Sequence, residues 1–329
     1  MKSLAAQQAY NKAHNKAIGG MYSGIEGLDD YWQPQRGKPH IIYGLPHSGK
    51  TEFAIEILIN LTQTKGITVF LFTPETGSKE DIANFLIEKH IGKTPYQKNR
   101  DGSRNLYAAG DDEIKAGYEW LETYFHISDK EEYPNPTEIT LKDIYSMAEM
   151  EGSFDAILID TFTHIHDEHD EPVHKFVNRL YSEMHRYDAE HMTMTWMVLH
   201  CGKTQTTYLS DGTPYVRPPH PTEAMGGQNW YRLADSWLQV YINKAESEFY
   251  EYETWLMVQK MRDRHCGKVG VVRVGWTPER GGRYYEYIND KQYFGNEYYY
   301  EKQSRESVST VNGIQPDARE AWEESDSPY

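Results

Sequence analysis

At 329 residues and 38% hydrophobic content, the chain can bury one large core or two smaller ones. Its net charge of −16 argues against a surface that coats nucleic acid nonspecifically, while leaving room for local basic loops inside a channel. The two cysteines, Cys201 and Cys266, form neither a disulfide framework nor a metal knuckle, and no apolar run is long enough to span a bilayer.

The first residues, Met1-Lys-Ser-Leu-Ala-Ala-Gln-Gln, lack the apolar core of a signal peptide. Residues 1–20 read as a short helix with Leu4, Tyr10, Ala13, Ala17 and Ile18 among polar positions, stopped at Gly19-Gly20. A helix of that length is marginal alone in water, so it is expected to dock on something. The next element is an apolar run, His40-Ile-Ile-Tyr43, read as a buried strand. It leads into Gly44-Leu-Pro-His-Ser-Gly-Lys-Thr51 and then into a helical pattern over 51–60. A strand, a glycine-rich loop and a helix in that order form the setting of a phosphate loop. Gly44, Pro46, His47, Ser48 and Gly49 would wrap backbone N–H groups around a nucleotide triphosphate, at a helix N-terminus that carries partial positive charge. Lys50 would reach the β- and γ-phosphates of ATP, and the Thr51 hydroxyl would hold Mg²⁺.

Further strand candidates fall at 67–73, 154–160, 194–200, 236–242, 253–261 and 269–276. In the first half they alternate with helical patterns, which implies a mostly parallel sheet covered by helices on both faces. In the second half they are joined by short loops, which implies antiparallel strands at one edge.

Several polar residues stand at the carboxyl ends of these strands, where a parallel sheet faces its ligand crevice. Glu75 follows strand 67–73, where a carboxylate can polarise an attacking water. Asp160 ends the strand Ser153-Phe-Asp-Ala-Ile-Leu-Ile-Asp160 and either holds the Mg²⁺ water shell or caps a turn. His200 ends strand 194–200 and either contacts a γ-phosphate or is a satisfied core histidine. Lys260 and Arg262 close strand 253–261 on one face with Met261 opposite. They either meet an anion, such as a neighbouring subunit's γ-phosphate, or belong to a surface ion-pair patch. His164, His166, His169 and His174, with Asp167, Glu168 and Asp170, match no zinc spacing and read as a solvated loop. The aromatic run from Tyr284 to Tyr300 reads as packing and edge-strand filling rather than a base-stacking platform. Residues 301–329 lose periodicity, turn acidic and read as a disordered tail.

Taken together, these residues resemble the RecA-like motor domain of DnaB-type replicative helicases and the ring helicase part of phage primase-helicases. Ser23-Gly-Ile-Glu-Gly-Leu-Asp29 resembles the family's opening motif, Gly44–Thr51 its first nucleotide motif, and Thr73-Pro-Glu-Thr-Gly-Ser78 the segment with its catalytic glutamate. Asp160 is similar to the second-motif aspartate, and His200 stands where the family has a sensor Gln or His. Gly226–Asp235 is similar to the segment after the second DNA-binding loop. Lys260-Met-Arg262 is similar to the Lys-x-Arg that reaches the adjacent subunit's ATP.

The resemblance implies a RecA-like P-loop NTPase domain over residues 21–300, with 1–20 similar to a linker helix and no counterpart of the family's N-terminal primase or helical-hairpin domain. It implies an ATP-dependent replicative helicase that moves on single-stranded DNA as a hexameric ring in a bacterial or phage-infected cytoplasm, with a primase or helicase loader as partner and no membrane. The loop 202–225 carries Thr-Pro and Pro-Pro runs of its own, so DNA contacts do not transfer residue by residue; Lys203 and Arg217 are the candidates, with Lys175 and Arg179 behind them. A recombinase filament with the same ATPase core and a non-translocating regulatory or loader ATPase are the rival readings.

Overall fold

The computed structural model describes residues 20–95, 105–202, 206–208, 214–242 and 253–311. Most of residues 1–20, Lys203 and the stretch from 312 onward therefore lie outside the described residues.

The alternation in the first half builds strands β1 (His40–Gly44), β2 (Val69–Phe72), β3 (Phe125–Ser128), β4 (Ala156–Ile159) and β5 (Thr195–His200). A short hairpin, β6 (Thr206–Tyr208) and β7 (Pro214–Val216), stands apart in a sheet of its own. The chain then lays down β8 (Ser236–Ile242), β9 (Thr254–Met261), β10 (Gly270–Thr277), β11 (Arg283–Ile288) and β12 (Lys291–Phe294). The main sheet has ten strands in the order β12-β11-β10-β9-β8-β1-β5-β4-β2-β3. Pairings from β8 through β1, β5, β4 and β2 to β3 are parallel, and those from β8 out to β12 are antiparallel. The α/β class, the mostly parallel centre and the antiparallel edge are as the sequence implies.

The helices are α1 (Glu26–Asp29), α2 (Lys50–Lys65), α3 (Lys79–Ile91), α4 (Asp111–Tyr124), α5 (Leu141–Glu151), α6 (Val173–His191), α7 (Asn229–Leu233) and α8 (Glu297–Val311). Side chains alternate across each strand, so one strand feeds two cores. Ile42, Val69, Leu71, Leu158 and Val198 pack under α2, α3 and α4. Their neighbours Ile41, Tyr43, Phe70, Phe72, Ile157, Ile159, Met197 and Leu199 pack under α5, α6 and Trp230 of α7. Helix α2 is buried without a break from Phe53 to Thr62, which suits a helix with no solvent face.

Polar contacts pin α2 in that interior. Glu56, 1% exposed, accepts from Lys89 of α3 at 3.0 Å and from Arg283 of β11 at 3.2 Å. Lys89 also pairs with Glu52 at 2.9 Å and donates to the Gly282 carbonyl.

Two stretches depart from the sequence reading. The aromatic run contains the β11–β12 hairpin, turned by Asn289 and Asp290, both with positive φ (51° and 63°). That backbone is the type I′ geometry that matches the twist of paired strands. Helix α8 continues through Glu301 to Val311, into the region read as an aperiodic tail. It is held near its start by Asn296, whose amide donates to the Asn60 carbonyl at 2.9 Å, and by Tyr299, whose ring lies 4.8 Å from that of Tyr22.

Candidate active site

Because β1, β5, β4 and β2 run parallel side by side, their carboxyl ends meet on one rim. Gly44 and His200 are the last residues of β1 and β5 and lie in register. Asp160 and Glu75 follow β4 and β2. These residues line a cavity of about 710 Å³ together with Pro46–Glu52, with Ile242, Trp276 and Tyr284 on its apolar side.

The loop from Gly44 to Gly49 is built for close approach of backbone. A Cβ on Gly44 would lie 2.4 Å from the Val240 carbonyl oxygen, so only glycine fits between β1 and β8. His47 and Gly49 adopt positive φ, 58° and 78°. No side chain caps α2, which leaves its first-turn N–H groups and the positive end of its dipole for an anion. Tyr284 donates to the Gly49 carbonyl at 3.2 Å and braces the loop from β11.

Lys50 is buried, 4% exposed, and its ammonium donates to the Leu45 carbonyl at 2.6 Å. Burial pulls its pKa down to about 8 against the opposing pull of Asp160 and Glu75. A buried cation beside an anion-seeking loop is the complement of a phosphate. The Thr51 hydroxyl donates to the Asp160 carboxylate. Asp160 is 3% exposed, and burial raises its pKa, partly offset by Thr51 and Lys50. A hydroxyl and a buried carboxylate within hydrogen-bond reach, both hard oxygen donors, fit a Mg²⁺ site.

Glu75 accepts from two imidazoles: His164 Nε2 at 2.9 Å on Oε1 and His200 Nε2 at 3.4 Å on Oε2. Partial burial works against its ionisation, but hydrogen bonds from His164 and His200 outweigh it and hold the carboxyl below its usual range. His200 also keeps a buried Nδ1 that has no hydrogen-bond partner among the described residues. His164 is a correction to the solvated-loop reading. It ends a 3-10 turn, Phe162–His164, that folds the chain back from Asp160 onto Glu75. Its offset of four from Asp160 is the only trace of this in the sequence, and it has meaning only once the turn exists.

Lys260 and Arg262 stand away from this cavity and are absent from its lining. Lys260 donates to the carbonyls of Tyr231 at 2.6 Å and Arg232 at 3.0 Å. Burial, reinforced by Arg262 and opposed by Asp235, lowers its pKa to about 8. Arg262 donates to Asp235 at 3.2 Å and to the Arg232 carbonyl at 2.9 Å, with its side chain 52% exposed. The pair forms a projecting cationic corner of the chain, on the segment 226–235.

The nucleic-acid candidates are less uniform. Arg179 is paired with Asp167 at 2.6 Å and Glu171 at 2.9 Å, and Arg217 with Glu223 at 2.5 Å. Either arginine would have to exchange a carboxylate for a phosphate. Lys175 is exposed on α6. The loop expected over 202–225 holds the β6–β7 hairpin. Among the described residues no group of His, Cys, Asp or Glu side chains could by itself hold a metal ion, and no helix is long and apolar enough to cross a membrane.

No protein-family model matches the chain. It is 22% identical over 263 residues to the chloroplastic/mitochondrial Twinkle homolog protein of Arabidopsis thaliana, a match that covers 79% of this chain and 36% of that protein. The chain thus spans about a third of the length of that relative. Among solved structures it is similar to an isolated ATPase domain, with a TM-score of 0.62 and 18% identity over 86% of this chain and 98% of that one. It is also similar to a DnaB-like replicative helicase studied for its interactions with primase, with a TM-score of 0.59 and 18% identity over 84% of this chain and 64% of that one. The fold is that of the RecA-like ATPase domains of DnaB-like replicative helicases, and the likeness to the Twinkle homolog supports a helicase family.

Proposed function

We propose that this chain, with the fold of a DnaB-like helicase domain, is an ATP-hydrolysing motor that works as a hexameric ring on single-stranded DNA. The observation that carries the reading is a split site. Lys50, Thr51, Asp160, Glu75 and His200 line one cavity, while Lys260 and Arg262 of the same chain project elsewhere. Two half-sites of that kind complete each other when one copy follows the next head to tail.

In this reading the loop Gly44–Gly49 and Lys50 cradle the β- and γ-phosphates of ATP. Thr51 and Asp160 would hold Mg²⁺, which neutralises phosphate oxygens when bound. Glu75 orients the water and accepts its proton as the oxygen attacks the γ-phosphorus and ADP leaves. Lys260 and Arg262 of the adjacent subunit meet the charge that builds on the transferring group. His200, on Glu75, reports the loss of the γ-phosphate to the segment that follows β5. Lys203 and Arg217 there, with Lys175 and Arg179, would grip backbone phosphates, a contact that is sequence-independent and salt-sensitive. A primase or helicase loader is the expected protein partner.

The test is the ATPase rate with and without single-stranded DNA, read beside native mass and strand displacement on a forked duplex. Stimulated turnover by a hexamer that unwinds the fork supports the proposal. Continuous filaments on DNA would favour a recombinase, and turnover without unwinding a regulatory ATPase. A chain that stays monomeric and turns over no faster with DNA and nucleotide present refutes it.

A further inference from the structure

Glu75 stands on an exposed turn, with its side chain 43% exposed and Gly77 beyond it at a φ of +112°. A long side chain in that setting samples many rotamers unless partners restrain it. The hydrogen bonds that restrain it come from two imidazoles, one on each oxygen. His200 arrives from the end of β5. His164 arrives from the turn after β4, which the core grips on both sides. Phe162 packs against Phe176 and Trp230, with ring centroids 5.8 Å and 5.3 Å away. Ile165 is 6% exposed, and the His164 N–H donates to the Thr161 carbonyl at 3.0 Å.

Resting on the ATPase reading above, we infer that His164 is a positioning residue for hydrolysis: its Nε2–H fixes the Glu75 carboxylate and ties it to the segment that follows Asp160. An ionised carboxylate offers about four lone-pair sites. Two imidazole donors fix its plane and leave sites open for the proton of the attacking water. His164 touches no phosphate and supplies no proton; it acts through Glu75.

The test is steady-state ATP hydrolysis and nucleotide binding by H164A, H164Q, H164N, E75A and the double variant E75A/H164A. For H164A we expect kcat to fall about 10- to 100-fold, the size that accompanies loss of a hydrogen bond to a charged group, with KM and nucleotide affinity kept. Glutamine carries an N–H out to the ε position and restores most of the rate; asparagine stops short and does not. In the E75A background, His164→Ala changes nothing further. Wild-type kcat in H164A, equal rates for the Gln and Asn variants, or an undiminished H164A loss on top of E75A overturns the inference while leaving the ATPase reading standing. A wild-type chain without hydrolysis, or an E75A variant with normal turnover, overturns both.

Discussion

Replacing Arg262 by alanine tests the split site most directly, because stability and turnover should part company. In the chain the guanidinium is half exposed and its ion pair with Asp235 spans 3.2 Å at the surface. Exposed pairs of this kind contribute about 1 kcal/mol or less, so the variant should unfold at nearly the wild-type urea concentration. The side chain does not line the cavity that holds Lys50 and Thr51, so ATP affinity at the variant's own phosphate loop should also persist. Hydrolysis should not. An arginine placed on the transferring phosphoryl group from a neighbour is worth about 10³-fold or more in kcat. Phosphate release and fluorescent-nucleotide binding on one preparation read both quantities. Mixing then separates neighbouring action from action within the chain. R262A lacks only the finger and E75A only the base. In a randomly mixed 1:1 ring, about a quarter of the boundaries would join an intact loop to an intact finger, and turnover returns. Wild-type turnover by R262A alone, or no recovered turnover at any mixing ratio, refutes the shared site.

Lys50→Ala should leave the fold intact, because burial already lowers the pKa of this lysine to about 8 and makes the cation costly to keep; hydrolysis should drop at least about 100-fold, and normal turnover would end the nucleotide assignment. Lys89→Ala should destabilise the chain by about 3–5 kcal/mol, since it strips the buried partner from Glu56 and Glu52; a urea-unfolding difference under about 1 kcal/mol would contradict the network's role. Asp188 is fully buried, accepts from the Thr195 N–H at 2.9 Å and hydroxyl at 2.7 Å, and lies near Tyr145 and His191. Burial raises its pKa from 3.8 to about 7, so its protonated form belongs to the folded state; that contribution is present below the unfolded value and lost as pH rises through the folded one. Asp188→Asn should flatten the fall in stability between those two values, and urea midpoints that track wild type across that window would count against it.

What the sequence carried and what it did not divide along a physical line. The phosphate loop and Asp160 were legible because local rules act there: a buried strand must end, a tight turn needs glycine, and a parallel sheet turns all its carboxyl ends to one rim. The seven longer strands were legible for the same reason, as apolar runs bounded by polar breaks. Strand β3, Phe125–Ser128, is too short to show a period beside α4. The β11–β12 hairpin hid in a tyrosine-rich stretch, although Asn289-Asp290 is a turn signal that could have exposed it. The Glu75 cluster is of another kind. Glu75 is 89 residues from His164 and 125 from His200, joined by strand order rather than by any spacing. Periodicity reports which face of an element is buried, never which two loops meet above it. The parts of this site that bind are thus written locally, while the arrangement that would hold the base over a reacting phosphate exists only once β2, β4 and β5 lie side by side. A substitution that shifts β4 against β2 should therefore weaken turnover before it weakens nucleotide binding.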